Sequence, residues 1–113
     1  VCNMSECLFC KIAAGEIPSE FVYQDDKVVA FKDIHPKAPV HVLIVPRKHI
    51  ASLSEIEKDD LPLVSHMIDA ANRIARDMKT GHGYKLVINT GEDGGQVIMH
   101  LHMHLLGGKK MPD

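Results

Sequence analysis

The hydrophobic positions of the chain follow two spacings, one typical of β-strands and the other of an α-helix. Apolar, β-branched and aromatic residues cluster in strand-length segments at residues 21–24, 28–33, 40–45, 84–89 and 97–106. The first two segments are separated by Asp25-Asp26-Lys27, which indicates a hairpin. A short helical segment is predicted before them, over residues 7–14.

The helical spacing is clearest in the middle of the chain. Apolar residues recur there every three or four positions and form one stripe: Leu61, Val64, Ile68, Ala71, Ala75 and Met78. Asp59 or Asp60 can cap the start of this helix. Pro62 is tolerated in its first turn, and Gly81 follows its end. One long helix among several adjacent strands predicts an α+β fold with an antiparallel sheet.

Length and charge limit the classes of protein that fit. A chain of 113 residues forms one domain, although residues 1–3 are expected to precede the natural start at Met4. The net charge of −2 gives no basic field for nucleic acid, and no apolar run is long enough to cross a membrane. We expect a cytoplasmic protein, because the N-terminus lacks the charged and apolar regions of a signal peptide.

Histidine alternates with apolar residues in the last predicted strand. Three of the eight histidines, His100, His102 and His104, lie there. In a strand, alternate side chains project to opposite faces. The sequence therefore predicts that the four apolar residues of segment 99–105 bury one face, while the three imidazoles line the other about 6–7 Å apart.

Three histidines at this spacing beside a glycine-rich loop indicate a site, whereas a single one would be an ordinary surface residue. One interpretation is a three-histidine metal site in which a water completes the tetrahedron. Another makes one imidazole a nucleophile, because its neutral nitrogen needs no activating base. The glycines of loop 91–95 let backbone amides approach an anion. Asn89 and Gln96 add neutral donors, which suits a phosphoryl centre and favours the nucleophile.

Three cysteines lie within the first ten residues, and their odd number argues against a disulfide framework. Cys7 and Cys10 have the spacing of a metal-binding pair, with two buried free thiols as the alternative. Cys2 falls outside this pair, and we regard it as incidental.

Residues 94–108, with the sequence GGQVIMHLHMHLLGG, closely resemble the signature of the histidine triad family. Further segments extend the resemblance over nearly the whole chain, at residues 17–19, 23–26, 30–34, 38–41 and 45–50. The likeness is to the nucleoside phosphoramidase branch, in its bacterial zinc-containing type, rather than to the larger transferase relatives. It implies a five-stranded antiparallel sheet with one long and one short N-terminal helix. It also implies a homodimer formed through the long helices and the sheet edges.

The resemblance implies a reaction at a nucleoside 5′-phosphate. The residue that matches the family's nucleophile is His102, which would attack the α-phosphorus of a nucleoside 5′-phosphoramidate or acyl adenylate. Water would then release the monophosphate from the nucleotidyl-histidine. His104 would contact the phosphate and the leaving group, and His41 would orient this cluster.

The same resemblance assigns the nucleotide contacts. Asn89 and Gln96 would bind phosphate, and Asp33 would bind the ribose hydroxyls. The base, a purine, would lie between apolar side chains, namely Leu8, Phe9, Ile12, Phe31 and Ile34. These residue types suit their ligands, since an apolar slot, a carboxylate and uncharged donors match a base, a diol and a phosphate.

A zinc site follows from the same likeness. Bacterial relatives of this type bind zinc with residues that match Cys7, Cys10, His49 and His100. Four protein ligands leave no open coordination position, so this zinc would fasten the N-terminal segment to the sheet and take no part in the chemistry.

One position departs from the family pattern. Serine is common after the glutamine, where its hydroxyl donates toward the leaving group, but this chain has Val97. We therefore expect slower reaction with amine leaving groups. The alternatives are a non-enzymatic purine-nucleotide-binding or regulatory protein, a metal-dependent hydrolase, and a dinucleoside polyphosphate hydrolase of the same family. We expect His66 and His82 in solvent and His35 in a surface loop.

Overall fold

The computed structural model describes residues 7–111, so Cys2 and the expected boundary at residues 1–3 lie outside the described residues. The helices are α1, Leu8–Ala13, and α2, Leu61–Asp77. The strands are β1 Phe21–Gln24, β2 Val28–Lys32, β3 Val40–Pro46, β4 Tyr84–Val87 and β5 Met103–Gly107. Two short 3-10 turns, Leu53–Glu55 and Lys58–Asp60, precede α2.

The five strands form one antiparallel sheet in the order β1-β2-β3-β5-β4. Together with one long and one short helix, this sheet confirms the predicted α+β fold. The described residues contain no helix with the length and apolar character needed to span a membrane.

The two faces of the sheet carry separate hydrophobic clusters. Alternate residues of β2 and β3, such as Ala30 and Ile44, pack with the buried residues of α2. The intervening residues, such as Phe31 and Leu43, pack with Phe9 and its neighbours in α1. Both central strands are therefore buried on both sides, and α1 covers the face to which His41 and His104 belong.

Helix α2 buries a different surface from the one marked by its apolar stripe. The side chains that it buries are Met67, Ala70, Ala71, Ile74 and Ala75. Two members of the stripe remain accessible, since Leu61 is 52% and Ile68 is 44% exposed. The buried surface is thus rotated around the helix relative to the predicted stripe, and part of the stripe is left open.

The prediction of a strand over residues 97–106 is wrong in its first half. Only Met103–Gly107 forms a strand, and it pairs with both β3 and β4. Before it, the N–H of His100 donates to the carbonyl of Ile98 at 2.9 Å, and the N–H of Leu101 donates to the carbonyl of Ile50 at 2.7 Å. The first of these bonds closes a tight turn, so the alternating sequence before Met103 does not form strand-to-strand hydrogen bonds. Met99, predicted on the buried face, is 37% exposed.

Candidate active site and metal cluster

Because the backbone turns before β5, the three histidines do not share one surface. Two clusters result. The cysteine–histidine cluster contains Cys7, Cys10, His49 and His100. The triad cluster contains Asp33, His41, His102 and His104.

The cysteine–histidine cluster brings four ligand atoms within 4.8 Å of one another. Nδ1 of His100 lies 3.2 Å from Sγ of Cys7 and 3.4 Å from Sγ of Cys10. Nδ1 of His49 lies 3.2 Å from Sγ of Cys10 and also 3.2 Å from Nδ1 of His100. The start of α1, the segment after β3 and the segment before β5 therefore meet at this point.

The ring of His100 is oriented as a metal ligand requires. Its Nε2 lies 2.8 Å from the carbonyl oxygen of Pro46. A carbonyl only accepts, so Nε2 carries the hydrogen and Nδ1 keeps its lone pair toward the sulfur atoms. Burial lowers the pKa of His100 to about 4, which keeps the ring neutral at pH 7.

The spacing of the cluster fits a tetrahedral ion. Metal–nitrogen bonds near 2.05 Å and metal–sulfur bonds near 2.3 Å separate the ligand atoms by about 3.3–3.8 Å. The closest separations in the cluster are 3.2–3.4 Å. Two thiols and two imidazoles are also a common donor set for zinc. The group could therefore hold a metal ion.

The triad cluster begins with a chain of hydrogen bonds from the main chain to His104. The N–H of Lys37 donates to Nδ1 of His41 at 3.0 Å, so the hydrogen of His41 lies on Nε2. This Nε2 lies 3.0 Å from Nδ1 of His104, which must accept. His104 consequently keeps its own hydrogen on Nε2, where it can donate to a ligand.

His102 has the opposite tautomer. Its Nδ1 lies 2.7 Å from the carbonyl oxygen of His100, so the hydrogen is on Nδ1 and the lone pair is on Nε2. The ring centroids of His102 and His104 are 5.1 Å apart. A bare ring nitrogen and an N–H donor are thus carried by adjacent rings, which is a suitable pair for nucleophilic attack with stabilisation of the leaving group.

The environment keeps the imidazoles of the triad cluster neutral. Burial lowers the pKa of His104 to about 4, and the neighbouring His102, His41 and Lys37 add to this effect while Asp33 opposes it. Burial also lowers the pKa of His102 and of His41, again against the carboxylate of Asp33. The lone pair of His102 is therefore free at neutral pH.

The three-histidine metal interpretation does not fit this arrangement, because the free nitrogen of His100 faces the cysteines. Asp33, His41 and His104 also bring their potential ligand atoms together. Nε2 of His41, however, carries a hydrogen and points toward the other two groups, with Oδ2 of Asp33 3.4 Å from the nitrogen and Nδ1 of His104 3.0 Å from it. This second group is therefore a hydrogen-bonded chain.

The side chain of Gln96, which is predicted to bind phosphate, hydrogen-bonds to main-chain groups in this structure. Its side chain is buried, and Nε2 donates to the carbonyl oxygens of Ala51 at 2.7 Å and Ile98 at 3.0 Å. Its Oε1 accepts from the N–H of Gly91 at 2.9 Å. Both amide hydrogens are thus used within the fold, and none is left for a phosphate without rotation of the side chain.

The glycine-rich loop also uses its amides internally. The N–H groups of Gly94, Gly95 and Gln96 donate to carbonyls of Gly91 and Glu92 in the same loop. The glycines thus serve a compact turn, in which Gly91 and Gly95 adopt positive φ angles that other residues rarely take. The expected approach of these amides to an anion is not the arrangement found here.

The remaining predicted nucleotide contacts differ in their burial and in the elements that carry them. Asn89 is half-buried after β4, and Asp33 holds the N–H of His35 at 2.8 Å through Oδ1. The five predicted base contacts do not share one open surface. Three are buried, namely Phe9 and Ile12 of α1 and Phe31 of β2, and two are exposed, namely Leu8 and Ile34.

The main-chain groups that fix the tautomers could not be identified by sequence reasoning. The groups are the N–H of Lys37 and the carbonyls of Pro46 and His100, and nothing in a residue type marks them, because every peptide unit has a carbonyl. The prediction of a solvated His66 is correct only in part, since its side chain is 32% exposed and its Nε2 lies 2.7 Å from Oδ2 of Asp25. His35 and His82 are exposed, as expected.

Comparison with known proteins identifies the family. A HIT domain matches residues 14–111. Protein HitA of Neisseria gonorrhoeae is 45% identical over 104 residues, which cover 92% of this chain and 97% of that protein. A crystal structure of a HIT family hydrolase from Legionella pneumophila Philadelphia 1 is 46% identical, with a TM-score of 0.92 over 94% of this chain and 96% of that one.

A further similar solved structure is described as zinc-bound. It is a zinc-bound histidine triad family protein from Mycobacterium smegmatis, which is 27% identical to this chain. Its TM-score is 0.83, over 95% of this chain and 78% of that one. The domain match over residues 14–111, together with the similarity to Protein HitA and to the Legionella structure, shows that the chain belongs to the HIT domain family.

Proposed function

We propose that the chain hydrolyses the P–N bond, or an activated P–O bond, of nucleoside 5′-phosphoramidates and acyl adenylates through a nucleotidyl group on His102. The observation that carries the proposal is the pairing of tautomers in the triad cluster. His102 has a bare Nε2 because its Nδ1 is bound to a carbonyl, and His104 has an Nε2–H because its Nδ1 accepts from His41. Membership of a family that includes hydrolases supports it.

In the first step, the lone pair on Nε2 of His102 forms a bond to the α-phosphorus. The bond from phosphorus to the leaving nitrogen breaks, and its electron pair goes to that nitrogen, which takes one proton from solvent. The Nε2–H of His104 donates a hydrogen bond to the departing group. The positive charge that develops on the His102 ring is stabilised by the carbonyl of His100 and the carboxylate of Asp33.

In the second step, water attacks the same phosphorus atom. Its hydroxyl stays on phosphorus, and its remaining proton returns to solvent. The bond between phosphorus and Nε2 breaks, with the electron pair returning to His102. Neutral His102 and the nucleoside monophosphate result. Asn89 would contact the phosphate and Asp33 the ribose, with a purine beside the apolar residues near α1.

The test is turnover of adenosine 5′-phosphoramidate, with mass spectrometry of acid-quenched samples. We expect a nucleotidyl adduct on His102 of the wild type and a loss of turnover of at least about 10³-fold in His102→Ala. His82→Ala, which removes an exposed histidine, serves as the control and should keep full activity. An adduct at another residue, or turnover that survives in His102→Ala, would refute the mechanism.

For the metal, we propose zinc bound by Cys7, Cys10, His49 and His100. The free Nδ1 of His100 among the two thiols supports this, as does the zinc-bound relative. When bound, the ion would supply a structural link between α1 and the segment before β5, because four protein ligands leave no position for substrate or water. Metal analysis after purification under reducing conditions should find one zinc per chain.

A non-enzymatic purine-nucleotide-binding protein is the second candidate. Val97 is 88% exposed and offers no hydroxyl where many relatives carry serine, so donation to the leaving group rests on His104. Tight binding of adenosine monophosphate, without measurable turnover of phosphoramidates or acyl adenylates, would favour this candidate.

We also propose that two copies form a homodimer through α2 and β4. β4 is an edge strand, and Tyr84 at its start is 39% exposed. Leu61 and Ile68 expose the uncovered part of the α2 stripe. Sedimentation should give twice the mass of one chain, and Ile68→Glu should shift it toward the monomer.

A further inference from the structure

The two clusters are joined at a single residue, His100. Its ring faces the two thiols and His49, whereas its carbonyl oxygen accepts the Nδ1–H of His102 at 2.7 Å. Ring and carbonyl are attached to the same α-carbon, and the residue is fully buried. Full burial and the Nε2–H bond to Pro46 restrict rotation of the ring about the Cα–Cβ bond, so a displacement of the ring also shifts the backbone and the carbonyl that selects the tautomer of the nucleophile.

Phe9 makes a second connection. It lies between Cys7 and Cys10 in the sequence, and α1 carries its ring against the triad cluster. The Phe9 ring meets His102 edge-on at a centroid distance of 5.0 Å and His100 at 6.1 Å. Only 3% of Phe9 is exposed, so it offers little surface to a nucleobase. Its contacts instead restrict rotation of the His102 ring.

We propose that the cysteine–histidine cluster positions the nucleophile, and that His100 and Phe9 are the positioning residues through which it acts. This inference rests on the proposed function of His102. With the four ligand side chains held together, the His100 carbonyl remains directed at Nδ1 of His102, and Phe9 holds the ring so that the bare Nε2 can approach phosphorus. When the ligands separate, Nδ1 of His49 and the bare Nδ1 of His100, 3.2 Å apart, are free to move, and the backbone carbonyl of His100 shifts with its tightly packed side chain.

The first experiment compares Zn²⁺-loaded protein with protein stripped by a chelator, both without substrate. Nitrogen-15 NMR of the imidazoles should show only the Nδ1–H tautomer of His102 in loaded protein and a mixture in stripped protein. Adduct formation with adenosine 5′-phosphoramidate should slow by about tenfold or more, as expected for a misplaced reacting group. The same tautomer and the same rate in folded loaded and stripped protein would overturn the proposal.

If circular dichroism shows that stripped protein unfolds, the positioning role is tested instead with a pair of variants in zinc-loaded protein. Phe9→Leu keeps an apolar side chain but removes the ring beside His102. Phe21→Leu is the matched control, because that ring meets Phe31 at 6.2 Å on the same face of the sheet. Both variants should keep one zinc. We expect Phe9→Leu to slow adduct formation about tenfold and to mix the His102 tautomers, with Phe21→Leu within about twofold of wild type.

Equal rates and equal tautomers in Phe9→Leu and Phe21→Leu would refute the role of Phe9. The NMR measurement requires no turnover. If no protein forms an adduct, the proposed function fails, while the tautomer of His102 still reports whether the cysteine–histidine cluster positions its ring.

Discussion

The cysteine–histidine cluster and the triad cluster use the same side chain in opposite ways. In the first, a carbonyl binds the Nε2–H of His100 and leaves Nδ1 bare beside two thiols. In the second, a carbonyl binds the Nδ1–H of His102 and leaves Nε2 bare beside an N–H donor. Two histidines separated by one residue thus acquire different chemistry from main-chain acceptors rather than from their residue type.

Accessibility follows the same division. His100 has no exposed surface, which suits a ligand that substrate never reaches, whereas His102 keeps 7% exposed and His104 is half-buried. A closed metal site needs only its four ligands, but a nucleophile needs an open line to phosphorus. The backbone turn before β5 permits both, because it directs successive histidines into separate surroundings.

The largest effect that would test this division is loss of the metal. His49→Asn removes a ligand that lies beside His100, and we expect the variant to purify without zinc. A ligand present at about a thousand times its dissociation constant stabilises a fold by about 4 kcal/mol, so the free energy of unfolding should fall by a similar amount. Metal analysis and denaturant unfolding measure the two effects.

The control for that prediction is His82→Asn, which makes the same change at an exposed histidine and should retain metal and stability. A chelator should lower the melting temperature of wild type and of the control but not of His49→Asn. One zinc per chain in His49→Asn would contradict the assignment of the cluster.

A smaller effect concerns Gln96, whose buried side chain hydrogen-bonds to three main-chain groups. Gln96→Glu keeps the shape but removes both N–H donors, so the carbonyls of Ala51 and Ile98 lose their partners. Leaving such groups unsatisfied costs about 1–3 kcal/mol each, and we expect a loss of stability of that order. If Gln96 instead bound phosphate, stability would hold while KM rose, and denaturant unfolding beside steady-state kinetics separates the two results.

The pH dependence of His104 tests the electrostatic side of the comparison. Because burial lowers its pKa from 6.5 to about 4, the folded protein holds fewer protons than the unfolded chain between these values. The stability that His104 contributes is therefore complete above pH 6.5 and decreases as the pH falls toward 4. An NMR titration of the ring should give a midpoint near 4, since His102, His41 and Lys37 disfavour its charge.

Asp33 provides an internal control for the same titration. Its carboxylate raises the pKa of His104 against these other effects. Asp33→Asn should therefore move the midpoint further down. A midpoint that stays near 6.5 in wild type, or that rises in Asp33→Asn, would contradict the buried, uncharged state of the triad cluster.

Sequence periodicity predicted the order and type of most elements, although not which surface of α2 is buried. The strand segments around Phe31 and Ile44 and the long helix appear where the pattern places them. The last strand was the exception, although its alternation from Met99 to Leu105 is regular. Alternation shows that side chains can be sorted to two sides, but it does not show that hydrogen bonds to a neighbouring strand exist. In the segment before β5, the carbonyl of Ile50 accepts from the N–H of Leu101, and the side chain of Gln96 donates to the carbonyl of Ile98, so these groups do not pair with a neighbouring strand.

The residues that form the site could be predicted from the sequence, but the partner of each ring nitrogen could not. His41 and His104 meet across β3 and β5 because the register makes them diagonal neighbours on one face. The division of the histidines into two clusters was visible only through the family resemblance, because it depends on which carbonyl each ring meets. Main-chain groups such as the carbonyl of Pro46 are identical in every residue, so no sequence pattern could mark them.

The smallest expected effect is that of Val97→Ser, which tests whether His104 is sufficient as the donor in the triad cluster. Val97 is 88% exposed, so the substitution should change the free energy of unfolding by no more than about 0.5 kcal/mol. An added hydroxyl that reaches the leaving group should raise kcat on adenosine 5′-phosphoramidate a few-fold, with KM unchanged. Val97→Ala removes the branched side chain without adding a donor, so it distinguishes the effect of side-chain size from the effect of the added hydroxyl. If the two variants have equal kcat, no donor is missing at this position, because the Nε2–H of His104, held in place by His41, already serves the departing group.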